Sequence, residues 1–424
     1  MNRTRLHKRL GGMNILEVTL LFAVVTLPLN YLLNSYSIVL FAIATLLSDS
    51  PAKKMTRLRE NSNYWILPLF YFVWMTIVLI WDKGSTFSVQ TGEDLESSAS
   101  WFVFPILFAT IDRIDSRSIK KILLAFVVSN LGASLYCLFK AYLEYKSTNY
   151  INVFFYYHLS THIDISAIYF SLYCVFSIYI LVFYFLFQKQ KFWMRLFCLV
   201  TTGYLTFFVV ILSSKTMIFL LYISALIFTV YSFYYFRSKW GALIFSILLV
   251  AMPVLLIKFP YVNSRLRDTQ IKEYRGQTDD QNGLAVRGVL WESSWNLIRE
   301  RPVFGWGRYD AQNVLQKKYL ESGFKEGAKE NYNSHNQYLY TWLCYGLVGL
   351  ILLLVYTGSL LSFFLRNRNF LGICLLLLFI LANITECMME VQKGIVFFFL
   401  FGNLLLVQSK NHKSGLPPDE AVLI

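Results

Sequence analysis

The stretch NYNSHNQYLYTWLCYGLVGL, Asn331 to Leu350, changes its solvent preference in the middle. It is polar as far as Asn336 and almost continuously apolar afterwards. Continued to residue 365, the apolar part exceeds the roughly 20 residues that cross a bilayer, so the switch marks a membrane surface with His335 on it. Reading outward, comparable apolar runs fall at 15–33, 36–48, 64–81, 99–111, 122–143, 165–187, 196–213, 216–236, 241–257, 337–365, 370–385 and 394–408. The second and fourth are short. The expected fold is therefore all-α, a polytopic membrane protein with about 12 transmembrane helices.

Composition agrees. Of 424 residues, 56% are hydrophobic and only 15% charged, with a mean hydropathy of +0.49. A soluble chain carries about 25% charged residues. The 28 Tyr, 37 Phe and 10 Trp suit helices bordered by interfacial aromatic belts. The basic start, MNRTRLHKRLGG, precedes an apolar run without a small-residue cleavage site, which reads as an uncleaved first span anchored in the cytoplasm.

Basic residues cluster in alternate loops. Arg3, Arg5, Lys8 and Arg9 are followed by Lys53–Arg59, Arg113–Lys121, Lys189–Arg195, Arg237–Lys239, Arg366–Arg368 and Lys410–Lys413. Twelve helices threaded in order put all of these on one side, which the positive-inside rule makes cytoplasmic, with both termini there. The net charge of +14 is thus a topology signal, and scatter over many short loops argues against nucleic-acid binding. The six cysteines all border or enter apolar segments, so no disulfide framework is expected. Neither CxxC nor HExxH occurs, and no metal and no cofactor is expected.

One segment breaks the rhythm. Residues 259–334 form a polar stretch on the outer side, nearly neutral, with twelve Lys and Arg against ten Asp and Glu. A loop of that length inside a compact protein is functional when ordered. Within it, LAVRGVLWESSWNLIRE (284–300) puts Val286, Val289, Leu290, Leu297 and Ile298 on one face, widened by Trp291 and Trp295. That pattern predicts an amphipathic helix able to lie on the membrane surface. Pro302 ends it, since the residue before a proline avoids the helical region. PVFGWGRYD then makes a glycine-hinged turn, and a second helix is expected around 311–320.

An unperturbed histidine titrates near 6.5 and suits proton abstraction at neutral pH. A lone histidine at an interface is commonly incidental, but His335 has company. His335-Asn336 is followed, after nine residues, by Gly346-Leu-Val-Gly349, glycines that let helices approach closely. This pattern resembles the signature of the O-antigen ligase and O-antigen polymerase superfamily, bacterial membrane enzymes that transfer glycans from polyprenyl diphosphate carriers. The long outer loop falls where that family has its catalytic loop. RGVLWESSWNLIRERPVFGWG (287–307) is similar to the family's arginine, aromatic helix and Pro-x-Phe-Gly-x-Gly, and TECMMEVQKG (385–394) to its acidic turn before the last helix. The resemblance spans the architecture of the whole chain but specific motifs only over about 210–350.

The resemblance implies a metal-independent inverting glycosyltransferase with His335 as base. It implies an arginine on the loop helix that grips the diphosphate, which maps onto Arg287. A second family arginine maps onto ILSSKTMIF (211–219), where this chain has Lys215. Lysine keeps the charge but loses the bidentate fork. Asn336, Arg265, Arg308 and His162 are expected to bind substrate, with solvated loop charge the bland account of the arginines. His158 and Asp164 accompany His162, and Glu386 and Glu390 near the outer turn are given supporting parts.

The implied partners are an undecaprenyl-diphosphate-linked glycan donor, a lipid A-core or glycan acceptor, and membrane lipids. Ligation in lipopolysaccharide biosynthesis is placed ahead of polymerisation of carrier-linked repeats. A polytopic transporter ranks below both, because no related halves or mid-membrane charges are visible. The expected organisation is 1–258 for transmembrane helices 1–9, 259–336 for a periplasmic catalytic loop, 337–408 for helices 10–12 and 409–424 for a cytoplasmic tail. The expected setting is the bacterial inner membrane, with the active site facing the periplasm.

Overall fold

Polar residues inside the apolar runs decide where the first helices end. In the computed structural model, which describes residues 13–81, 89–183, 191–234 and 284–413 together with 249, 250 and 254, the run expected to span 15–33 is α1 (Ile15–Thr26). A turn follows, and Asn30 caps α2 (Tyr31–Leu47) by accepting from the Leu32 and Leu33 amides. The buried Asn34 Nδ2 donates to the Ala23 carbonyl at 2.9 Å and to Thr26 Oγ1 at 3.0 Å, and Thr26 pairs with Ser37 at 2.7 Å. Such interhelical hydrogen bonds hold apolar helices together where burial of more apolar surface adds little.

The remaining helices are α3 (Pro51–Glu60), α4 (Ser62–Trp81), α5 (Val89–Thr110), α6 (Ser116–Thr148), α7 (Tyr156–Ser160), α8 (Ala167–Leu181), α9 (Phe192–Ile211) and α10 (Lys215–Tyr234). They continue with α11 (Leu284–Glu300), α12 (Arg308–Glu321), α13 (Lys325–Lys329), α14 (Gln337–Arg366), α15 (Phe370–Ala382) and α16 (Gln392–Lys413). No strand occurs among the described residues.

Among the described residues, five helices are long and apolar enough to cross a membrane: Ser62–Leu79, Ser116–Thr148, Phe192–Ile211, Gln337–Arg366 and Gln392–Lys410. Two bent pairs, α2 with α3 at 103° and Tyr156–Ile163 with α8 at 80°, bring the number to as many as seven if each pair is counted as one span. The described chain is thus a multi-pass, all-helical membrane protein. Most of the expected span 241–257, and Arg265, lie outside the described residues.

The helix below His335 is interrupted. Gly346 in α14 has φ +66° and ψ −173°, a combination that essentially only glycine adopts. The interruption frees carbonyls that the loop after α11 takes up. Trp306 N–H donates to Leu343 O at 2.9 Å and Gly307 N–H to Cys344 O at 3.0 Å. From α4, Trp74 Nε1 donates to Tyr345 O at 2.9 Å. In return, Leu347 N–H and Trp342 Nε1 both donate to Pro302 O at 2.9 Å. The carbonyls of Leu343, Cys344 and Tyr345 and the Leu347 N–H are thus all paired at the interruption.

A Cβ on Gly346 would overlap the Val303 carbonyl, and one on Gly305 (φ +75°) would sit 2.6 Å from Cys344 O. Gly346→Ala therefore meets both a forbidden backbone region, worth on the order of 1–3 kcal/mol, and a steric overlap. The expected outcome is a clearly lowered melting temperature and loss of folded protein in detergent. Gly358→Ala, on the same helix with open space around it, is the control and is expected to melt no lower than the parent.

Candidate active site

His335 sits in the two-residue gap between the end of the loop and the start of α14. Its φ is +43°, held by its own amide donating to Asn333 Oδ1 at 2.9 Å. A left-handed non-glycine residue is uncommon, and such positions concentrate at functional sites. Asn336 follows as the cap of α14, its side-chain oxygen accepting from Tyr338 N–H at 3.0 Å and Leu339 N–H at 3.1 Å. The aromatic ring of Tyr332 meets the imidazole edge-on at 5.5 Å.

The decisive neighbour comes from the turn between α15 and α16. Glu386 Oε1 lies 3.1 Å from His335 Nδ1, with the carboxylate 12% and the imidazole 33% exposed. A carboxylate only accepts, so Nδ1 carries the hydrogen and Nε2 is left with its lone pair. The same Oε1 accepts from the Cys387 amide at 3.2 Å, which fixes the carboxylate's direction.

Arg287 projects from the first turn of α11 toward this turn, its Nη2 3.5 Å from Thr385 O. Burial lowers its pKa below the ordinary guanidinium value, an effect opposed by the nearby Glu386 carboxylate. The cation is thus partly desolvated and its field is poorly screened. Lys215 is half-buried at the start of α10, just beyond a break where Ser213 takes φ +52°. Its neighbour Thr216 pairs with Thr385 through their hydroxyls at 2.7 Å. Residues 385 and 386 therefore gather His335, Arg287 and the start of the Lys215 helix onto one short turn.

Other sequence-predicted residues are placed differently. Arg308 Nη2 reaches Glu390 Oε2 at 3.3 Å, in a pair whose side chains are 17% and 10% exposed. His162 Nε2 lies 3.6 Å from Glu144 Oε2, on the far end of α6. His158 packs edge-on against Tyr150 at 6.0 Å. The expected membrane-surface helix α11 is instead packed on protein: Val286, Leu290, Leu297 and Ile298 are buried, and Trp295 meets Trp342 of α14 at 5.5 Å. An apolar stripe fits a membrane surface and a protein groove equally well, so periodicity alone does not separate them. Sequence reasoning gave Glu386 an undefined supporting part; its pairing joins positions 51 residues apart, and the acidic turn was the available signal.

Residues 200–354 match the family profile described as O-Antigen ligase. An uncharacterized protein of Haemophilus influenzae is 31% identical over 102 residues, 24% of this chain. The chain covers 25% of that relative's length. The matched residues include Lys215, Arg287 and His335, and the match supports a relation to the O-antigen ligase superfamily over 200–354.

Proposed function

We propose that this protein transfers a glycan from an undecaprenyl-diphosphate carrier to an acceptor sugar hydroxyl, with ligation to lipid A-core as the first reading and polymerisation of carrier-linked repeats as the second. The observation that carries this reading is the His335–Glu386 pair with the half-buried Arg287 cation on the adjoining residue. His335 Nε2 takes the proton of the acceptor hydroxyl. The oxygen attacks the anomeric carbon from the face opposite the diphosphate, so the carbon–oxygen bond to the carrier breaks with inversion. Arg287 and Lys215 hold the negative charge that collects on the departing diphosphate. Glu386 touches no substrate; it positions His335 and stabilises the imidazolium that forms. This electrostatic scheme runs without a metal.

The same reading puts twelve spans in the bacterial inner membrane, both termini in the cytoplasm and the 259–336 loop in the periplasm. In this reading Arg265, His162, Arg308 and Asn336 are the substrate-binding candidates.

The test is deletion in a native host that makes lipopolysaccharide. The expected product is bare lipid A-core, with polymeric glycan accumulating on the carrier lipid. Core capped by a single repeat unit would instead assign the chain to polymerisation of carrier-linked repeats. Unchanged lipopolysaccharide and carrier glycans would remove both readings.

A further inference from the structure

Two residues beyond His335, the side chain of Gln337 is completely buried in a chain that is 56% hydrophobic. Its Nε2 donates to Glu390 Oε1 at 2.9 Å and to Thr341 Oγ1 at 3.1 Å. Its Oε1 accepts from the Met389 amide at 2.8 Å. Its backbone N–H donates to Asn383 O at 2.9 Å. The turn that carries Thr385 and Glu386 is thus gripped by one residue at both ends, Asn383 before and Met389–Glu390 after.

Glutamine suits this place chemically. Only a carboxamide offers donors to Glu390 and an acceptor to the Met389 amide from one planar group. Glu390 is shared: its other oxygen receives Arg308 from the first residue of α12. Three chain segments therefore meet in one buried polar cluster. They are the helix that begins behind His335, the turn that presents Glu386, and the loop that continues from α11. A fully satisfied buried network specifies a single arrangement where apolar packing tolerates several.

We propose that Gln337, with Glu390 and Arg308, is a positioning cluster that sets the register of Glu386 against His335. The cluster acts through Glu386, and its effect needs no contact between these three side chains and substrate. The inference rests on the reading of His335 as the base, because what the cluster controls is the 3.1 Å pair at that base. It also gives Arg308 a part that does not require it to bind sugar or phosphate.

A double-variant cycle on the full-length protein tests this, using a synthetic polyprenyl-diphosphate-linked glycan as donor. Gln337→Met keeps the volume and removes the three side-chain hydrogen bonds. It is expected to lower kcat about tenfold or more while KM moves less than about twofold, since the lost interaction serves only the transition state. In a Glu386→Gln background the same substitution is expected to cost less than about twofold, because residues that act through one another are not additive. A defect of general stability multiplies in both backgrounds. Wild-type kcat in Gln337→Met, or losses that multiply in the double variant, would overturn the proposal. If Gln337→Met does not accumulate, Glu390→Gln enters the same cycle, because it keeps an acceptor for Gln337 and removes the partner of Arg308. Activity in His335→Ala is the separate result that sinks the parent reading, whatever the cycle shows.

Discussion

His335→Ala is expected to abolish glycan transfer while the protein still inserts and accumulates. A general base contributes on the order of 10²–10⁴-fold, and the other two imidazoles described, His162 and His158, lie against Glu144 and Tyr150 instead. The folded state loses a half-exposed ring, its edge contact with Tyr332 and the link to Glu386. The capping of α14 by Asn336 is untouched. Abundance and melting behaviour should therefore stay close to the parent. Glu386→Gln removes the charge that favours the imidazolium but keeps the shape, so its loss should be real and smaller. Turnover is measured with carrier-linked donor in detergent or proteoliposomes. Near-parental turnover of His335→Ala at matched abundance ends the assignment.

Arg287→Ala is the second large effect, expected to lower the rate about 10²-fold or more, the scale of a lost charge-stabilising donor. Arg287 is half-buried near Glu386, where a cation is less well screened than in open water, and its removal leaves the departing diphosphate facing a carboxylate. Arg287→Lys keeps the charge without the fork and should recover part of the rate. Lys215→Arg should keep activity and Lys215→Ala should not. Normal turnover in Lys215→Ala would withdraw that residue from the diphosphate site. Turnover should also survive EDTA, and a requirement for added divalent cation would contradict the electrostatic scheme.

The end of α11 and the 311–320 helix were legible in the sequence, because a proline stop and an apolar stripe are written within a few residues of each other. His335 and Arg287 were singled out by the family resemblance, which does not say what they meet. Pro302 ends α11 at Glu300 as expected. What periodicity could not reveal is which distant groups meet. Glu386 and Glu390 are four apart on one turn, yet one faces His335 and the other Arg308 and Gln337. Span boundaries failed for a related reason. Asn34 and Ser37 look like tolerated polar residues in an apolar run, but their partners on α1 make them the seam of a helical pair. Gly346 was visible as a point of close approach, and the interruption it creates was not.

That interruption also constrains how the protein is made. The segment 302–307 is synthesised before α14, and the carbonyls of residues 343–345 have no helical partner until it and Trp74 arrive. In hydrocarbon an unmatched backbone group costs several kcal/mol, so a ribosome-fresh α14 has little reason to settle in the bilayer alone. Stable insertion of this helix is therefore expected only once the earlier segment has folded against it. The order of biogenesis is thus written into two glycines and a proline. A chain whose loop misfolds leaves behind an unstable span, which membrane proteases can find, rather than a stable inactive enzyme.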